Sequence, residues 1–322
     1  MAPDLADKLA NKDFVVLDGG LATELERRGC DLRHHLWSAS VLARRPEVIR
    51  DAHLAYLRVG VDCVTTAAYQ ASVPGFLAAG HAPAAAEELY RRSVRLAFEA
   101  QREACRERGQ RPDDRDAPVV AMSIGSYGAY LADGSEYRGG YPVAEDELRE
   151  FHRDRVALAV DEMRQWTDRP LLALETVPSL AEAVMFTELL AEHPDAAAWI
   201  SFSCAGERAS AEGQPLVDCA RELGSCDQVI ALGANCVAPR HAGALIGALA
   251  TGEKPVIAYP NGGGDYDPVL KQWAGGEDRA AGEPDFAQWI KRGARGLGGC
   301  CRTTPEWIAS LVAYREARGG RR

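Results

Sequence analysis

The sequence predicts a single (β/α)8 TIM barrel that spans residues 1–322, with its active site at the C-terminal ends of the strands. Short apolar runs alternate with longer helical patterns, which is typical of parallel strands joined by helices. A length of 322 residues suits one such barrel, which takes roughly 250 residues plus insertions. An open doubly wound sheet of the dinucleotide-binding kind is disfavoured, because no G-x-G-x-x-G follows the first run.

Eight runs are the predicted strands. The first seven are continuous apolar runs that end in polar or glycine residues, as expected of parallel strands buried on both faces. The eighth is weak in composition and is assigned from its position. The predicted strands are 14–20, 61–69, 118–126, 170–177, 197–204, 228–236, 254–262 and 295–301.

Two helices can be predicted with their ends. In RRPEVIRDAHLAYLRVG, apolar residues recur at helical spacing, and Gly60 follows as the C-cap. The predicted stripe consists of Val48, Ala52, Ala55 and Val59. In PSLAEAVMFTELLAEH, Pro178 and Ser179 precede a periodic apolar run, as they would at a helix start.

A long loop is predicted after the third strand, in residues 127–146. It is rich in glycine and tyrosine and has little periodicity. Long ordered loops in compact domains are commonly lids or binding loops. Its four tyrosines favour a binding role over a disordered insertion, so Tyr127 is a candidate for substrate binding.

Composition excludes several functions. The net charge of −10 is unsuited to nucleic-acid binding, and no run of 18 apolar residues predicts a membrane span. The charged start, MAPDLADKLANKDF, has no apolar core of a secretory signal, so we expect a cytoplasmic protein. Nine scattered cysteines are unsuited to a disulfide framework, and we expect most to be reduced. Monomer and homodimer are both compatible with the sequence.

Polar residues and cysteines cluster at the predicted strand ends, where a barrel of this type keeps its catalytic groups. Cys236 ends the sixth strand, and Cys300 and Cys301 end the eighth. Three thiolates would leave one position of a tetrahedral Zn²⁺ open, as in catalytic zinc sites. Such a site suits a substrate thiol, which zinc would deprotonate at neutral pH. A strained disulfide between the adjacent cysteines and a pair of ordinary core thiols are the alternatives.

The motifs LDGGLATELERRG, TTAAYQAS, LLALETVPSL, GANC and GLGGCCRTTPEWI resemble those of the zinc-dependent homocysteine S-methyltransferases, over about residues 13–312. The resemblance implies one Zn²⁺ per chain, with Cys236, Cys300 and Cys301 as its ligands. It also implies that Asp18 and Glu175 bind the ammonium group of homocysteine. The glycines after Asp18, Gly19 and Gly20, would approach its carboxylate.

The expected reaction is methyl transfer to the homocysteine thiolate, giving methionine. GAYLADGSEYRG resembles the branch that uses a sulfonium donor, S-methylmethionine or S-adenosylmethionine. Asn235, Thr66 and Tyr69 are further candidates for substrate binding, although structural roles are equally compatible with the sequence. Two departures from the family pattern lie at the substrate face: Ser126 in place of proline, and Gly262-Gly263-Gly264 in place of Ser-Gly-Glu. A different thiol or selenol acceptor, or a non-enzymatic zinc- or thiol-sensing role, remain alternatives.

Overall fold

The computed structural model describes residues 3–32, 39–267, 272–274 and 281–319. Its barrel strands, numbered in chain order, are β1 Val15–Val16, β2 Cys63–Thr65, β3 Val119–Gly125, β4 Leu171–Val177, β5 Ala197–Phe202, β6 Val229–Asn235, β7 Val256–Tyr259 and β8 Ala294–Leu297. They form one parallel sheet in the order β1-β8-β7-β6-β5-β4-β3-β2. A bridge between Leu17 and Cys63 joins the two ends of the sheet. The predicted barrel is therefore confirmed.

The predicted strands are found, but several are shorter than expected. The first was predicted over 14–20 and pairs only at Val15–Val16, because residues 18–20 leave the sheet to line a cavity. The eighth, assigned from position alone, is confirmed by parallel pairing with both β1 and β7. Its Arg295 donates to backbone carbonyl groups of residues 9, 12 and 13, which fixes the strand against the N-terminal segment.

The helices of the described residues surround this sheet. They are α1 Leu5–Asn11, α2 Leu21–Arg27, α3 Ala39–Arg44, α4 Pro46–Val59, α5 Val73–Ala78, α6 Pro83–Glu107, α7 Tyr127–Leu131, α8 Glu145–Met163, α9 Leu180–Leu190, α10 Leu216–Gly224, α11 Pro239–Leu249, α12 Glu283–Lys291 and α13 Pro305–Gly319. None of these described helices has the length and apolar character to cross a membrane.

Both helices with predicted ends are confirmed. α4 ends at Gly60, which is left-handed at φ 101°. On its predicted stripe, Val48 and Ala52 are buried, whereas Ala55 and Val59 are only half-buried. α9 begins after Ser179, whose side chain accepts a hydrogen bond from the Glu182 N–H.

The core has two layers, which explains why the strand sequences look uniformly apolar. Along β4, Leu171 and Ala173 face the barrel interior, while Leu172 and Leu174 pack against the helices. All seven β4 residues are buried. Inside the barrel, Trp199 packs within the same apolar cluster and supports the floor of the cavity described below.

The segment predicted as an irregular loop contains regular structure. Residues 127–141, called the lid below, comprise α7 and a 3-10 turn at Ser135–Tyr137. The loop predicted over 127–146 thus contains a short helix and a 3-10 turn, which are too short to give a periodic signal, and its last two residues begin α8. Two small antiparallel hairpins complete the described structure, one pairing Cys204–Ala205 with Ala209–Ser210 and the other pairing Asp265–Asp267 with Gln272–Ala274.

Candidate active site

A cavity of about 220 Å³ opens at the C-terminal ends of the strands. Most of the predicted site residues line it, although they come from strands far apart in sequence. The predicted residues in its wall are Asp18, Gly19, Gly20, Thr66, Tyr69, Glu175, Asn235, Cys236, Cys300 and Cys301. The structure therefore brings together at one mouth the thiols, both carboxylates and the glycine turn.

The three predicted thiols form one cluster. Their sulfur atoms all lie within 4.8 Å of one another, and Cys236 Sγ lies 4.0 Å from Cys301 Sγ. Cys236 and Cys300 are paired as a disulfide, with their Cα atoms 5.5 Å apart. The alternative of a disulfide between the adjacent Cys300 and Cys301 is therefore wrong, and the alternative of ordinary core thiols does not fit three half-buried cysteines that line one cavity.

Cys236 is held at the end of β6 in an unusual backbone conformation. Its φ is 52°, in the left-handed region that a residue with a side chain seldom adopts. Thr176, at the end of β4, is left-handed as well, at φ 58°. The amide of Asn235 joins these two strand ends, because it accepts from Thr176 N–H at 2.9 Å and donates to Thr176 Oγ1 at 2.8 Å. The amide oxygen and the amide nitrogen of Asn235 thus both hold the ends of β4 and β6 together.

The Cys300–Cys301 turn is fixed by backbone hydrogen bonds to the β7 side. Cys300 N–H donates to Pro260 O at 2.9 Å, and Gly262 N–H donates to Cys301 O at 2.8 Å. A Cβ on Gly262 would overlap the carbonyl oxygen of Arg302, so this position requires glycine while the turn keeps its place. The glycine at position 262, where the family pattern has serine, therefore allows close packing against the Cys300–Cys301 turn.

The glycines before the cysteines serve close packing too. A Cβ on Gly298 would come within 2.7 Å of the Leu17 side chain, and one on Gly299 would overlap Thr303. Thr303 Oγ1 donates to Cys300 O at 2.6 Å and accepts from Gly20 N–H at 3.0 Å. The glycine turn after Asp18 and the cysteine turn are therefore joined through one hydroxyl group.

Asp18 is buried at the cavity wall. Its carboxylate accepts from Thr65 N–H at 2.8 Å and from Thr65 Oγ1 at 3.1 Å. Burial raises the pKa of Asp18 to about 8, against the effect of the Thr65 hydrogen bonds, and the nearby Glu175 charge raises it further. Near neutral pH and without a cation beside it, this carboxyl is largely protonated.

Glu175 projects into the cavity from a distorted end of β4. The register with β5 shifts between Leu174 and Val177, which turns the strand end locally. Ser123 and Tyr259 donate hydrogen bonds to the carboxylate, and Trp199 Nε1 donates to Tyr259 Oη at 3.0 Å. Burial raises the pKa of Glu175 nonetheless, because the charged form has lost water.

One predicted site residue lies elsewhere. Tyr127 does not line the cavity, because its ring packs against Tyr130, Tyr141 and Phe151 at the base of the lid. The lid instead contributes Ala132, Gly134, Glu136 and Tyr137 to the cavity wall. Sequence reasoning missed these residues, since a short helix places the second half of the loop, not its start, over the site.

Ser126, the second departure from the family pattern, is buried at the N-terminus of α7. Its buried hydroxyl group has no hydrogen-bond partner among the described residues. The Tyr141 hydroxyl donates to Glu182 Oε2 at 3.0 Å. Glu182 Oε1 accepts from the Tyr127 N–H at 2.8 Å. Glu182 therefore fastens the base of the lid, whereas the Ser126 side chain takes no part in these bonds and does not line the cavity.

The charge of the cavity is one-sided. Among its described lining residues there are four carboxylates and three cysteines, and no lysine, arginine or histidine. The carboxylates belong to Asp18, Glu26, Glu136 and Glu175. Buried carboxylates are costly unless a cation compensates them. The cavity is thus built to receive positively charged groups.

A closed barrel with thiols and carboxylates gathered at the C-terminal strand ends defines a barrel enzyme whose substrate site lies in the strand-end loops. A family model described as homocysteine S-methyltransferase matches residues 15–314. The chain belongs to the homocysteine S-methyltransferase family and is an enzyme of the methyltransferase class. This removes the alternative of a non-enzymatic sensor.

Its relatives cover nearly the whole chain. Homocysteine S-methyltransferase YbgG of Bacillus subtilis (strain 168) is 44% identical over 302 residues, 94% of each chain. Crystal structures of the homocysteine methyltransferase MmuM from Escherichia coli, in metallated and oxidized forms, match with TM-scores of 0.81 and 0.82. Both are 41% identical and cover 95% of this chain and 97% of theirs. A selenocysteine Se-methyltransferase of Brassica oleracea var. italica is 39% identical over 310 residues, 92% of this chain and 88% of its own.

Proposed function

We propose that the enzyme transfers a methyl group from a sulfonium donor, S-methylmethionine or S-adenosylmethionine, to the thiolate of L-homocysteine in a zinc-dependent reaction that gives methionine. The observation that carries this proposal is the one-sided charge of the cavity. A sulfonium donor and an ammonium group are both cations and compensate buried carboxylates, whereas an anionic methyl donor would be repelled.

The three thiols fit a zinc site. Cys236, Cys300 and Cys301 offer soft sulfur ligands within 4.8 Å of one another, and the set leaves one position for a substrate atom. The metallated form of the Escherichia coli relative supports this assignment. The chemistry that a bound zinc ion supplies is loss of the homocysteine thiol proton near neutral pH. Because ligation requires free thiolates, the Cys236–Cys300 pair must be reduced first.

Asp18 and Glu175 are the proposed partners of the homocysteine ammonium group. They lie on β1 and β4 and face the same cavity as the thiols. An ammonium group placed between them lowers both raised pKa values and restores the charged form of each carboxyl. Thr65, Ser123 and Tyr259 hold the two carboxylates in place through the hydrogen bonds described above.

The methyl transfer itself is a displacement at carbon. The bond between the methyl carbon and the donor sulfur breaks, its electron pair stays on that sulfur, and the homocysteine thiolate forms the new bond. Charge is neutralised as the reaction proceeds, so a cavity screened from water favours it. Tyr69 and Tyr137 line the cavity and can hold the sulfonium group by contact with their rings.

A donor comparison tests the proposal. Reduced, zinc-supplemented enzyme is incubated with homocysteine and, separately, S-methylmethionine, S-adenosylmethionine, betaine or 5-methyltetrahydrofolate, and methionine is quantified by mass spectrometry. We expect methionine from a sulfonium donor only. Exclusive use of betaine or methyltetrahydrofolate would refute the donor class. If protein purified anaerobically under reducing conditions holds no zinc and added zinc restores no activity, the metal assignment is wrong.

The acceptor is tested in the same assay. The resemblance to a selenocysteine Se-methyltransferase makes a selenol a specific alternative acceptor. Homocysteine and selenocysteine are therefore compared at a fixed donor concentration. A higher kcat/KM for homocysteine supports the proposal, and the reverse order would assign the enzyme to the selenol acceptor.

A further inference from the structure

The lid holds one carboxylate over the cavity. Glu136 lies in the 3-10 turn of the lid, is 7% exposed and lines the cavity. It belongs to neither of the strands that supply Asp18 and Glu175. The site thus has a third buried carboxylate, which the binding of the homocysteine ammonium group does not require.

The backbone of Glu136 is fixed by contacts with the end of β5 and with α7. Ser203 Oγ donates to Glu136 O at 2.5 Å, which ties the turn to the end of β5. A Cβ on Gly128 would overlap Glu136 N, so α7 packs directly against the turn. At the base of the lid, Glu182 accepts from Tyr127 N–H and Tyr141 Oη. The carboxylate is therefore carried by a well-anchored segment.

Glu136 shares the cavity wall with the thiol cluster and with two tyrosines. Cys301, Tyr69 and Tyr137 line the same cavity. Burial raises the pKa of Tyr69, and the nearby Glu136 charge raises it further. Glu136 therefore borders the space that a methyl donor would occupy next to the cysteines.

We propose that Glu136 recognises the sulfonium charge of the methyl donor and thereby selects a cationic donor. This inference rests on the proposed function. The ammonium group of homocysteine is served by the barrel carboxylates, while the donor brings an ammonium group of its own and, in addition, a sulfonium charge that needs a partner near the thiols. Because that charge disappears during transfer, Glu136 stabilises the bound donor more than the transition state. It is thus a specificity residue, and its loss raises the donor KM without lowering kcat.

The test compares a charged ligand with its uncharged counterpart. Binding of S-methylmethionine and of methionine, which differ by the methyl group and its positive charge, is measured by calorimetry on zinc-loaded wild-type enzyme and the Glu136→Gln variant. We expect the Kd for S-methylmethionine to rise about 10- to 100-fold and that for methionine to change less than about twofold. Equal losses for both ligands, or no loss, would overturn the inference.

A matched control separates specific recognition from the general field of the cavity. Glu26→Gln removes another carboxylate from the same wall, on an exposed residue of α2. We expect it to change the S-methylmethionine Kd less than about threefold. An effect as large as that of Glu136→Gln would overturn the inference. Charge-dependent binding without methionine formation would refute the proposed function and leave the inference standing, whereas turnover with an unchanged donor Kd in Glu136→Gln would refute only the inference.

Discussion

Replacement of Asp18 by asparagine should stabilise the fold while removing homocysteine binding. Burial raises the Asp18 pKa from 3.8 to about 8, so between these pH values the folded protein keeps a proton that the unfolded chain releases. As the pH rises through this window, the free energy of unfolding of the wild type falls by about 1.4 kcal/mol per pH unit. The stability that accompanies protonated Asp18 is complete below pH 3.8 and is lost once the pH has passed about 8.

The magnitude at neutral pH follows from the same values. Over the interval from pH 3.8 to 7, the loss amounts to about 4 kcal/mol. Asparagine has no proton to release, and it can still accept from Thr65 N–H. The variant should therefore unfold at a Tm higher than the wild type by about 4 to 8 °C at pH 7, with a difference that shrinks towards zero near pH 4.

The assay is thermal unfolding of both proteins between pH 4.5 and 8.5, in reducing buffer with a chelator and no substrate. The control is Asp168→Asn, which removes an exposed carboxylate. Its Tm difference should stay constant with pH. A Tm difference for Asp18→Asn that is flat with pH, or a variant less stable than wild type at pH 8, would show that Asp18 carries its charge in the free protein.

Three further predictions concern the cysteine cluster, Gly262 and the base of the lid. Cys301→Ala should lower bound zinc from one per chain to below about 0.1 and methionine formation at least about 100-fold, measured by metal analysis and product assay, while Cys226→Ala leaves both unchanged. Gly262→Ser should lower stability by about 1 to 3 kcal/mol in denaturant titration, since its side chain meets Arg302 O; an unchanged midpoint would contradict this packing. Glu182→Gln should raise the donor KM several-fold and leave the homocysteine KM within twofold, because its carboxylate joins the base of the lid to His152 of α8 and does not line the cavity; equal rises would refute that role.

The barrel and the thiol site could be predicted because both follow from local signals. Runs buried on two faces mark parallel strands, and the rule that strand ends converge brings Cys236 to the Cys300–Cys301 turn without any knowledge of contacts. The orientation of side chains in the lid could not be predicted, because the lid contains neither kind of signal. Which tyrosine lines the cavity depends on α7, which contains Tyr127, and on the 3-10 turn, which contains Tyr137. Both elements are too short to show a period in the sequence.

Strand lengths and thiol pairing were also beyond the sequence. The predicted first strand continues to residue 20, but the chain leaves the sheet after the Leu17 bridge, and the turn at Gly19-Gly20 is bound by Thr303. Formation of the Cys236–Cys300 disulfide depends on the distance between two strand ends, which the spacing of the cysteines along the sequence does not determine. Glu136 gave no signal in the sequence, since a charged residue in a polar loop is the ordinary case.

The link between β6 and the turn after β8 has a consequence for the stability of the fold. Pairing of Cys236 with Cys300 closes a chain loop with a sequence separation of 64 residues, which includes α11, β7, α12 and β8. Closing a loop of this size removes unfolded-state freedom worth about 4 kcal/mol. Reduction of the pair removes this cross-link and the stabilisation that it provides to the strands and helices of the loop.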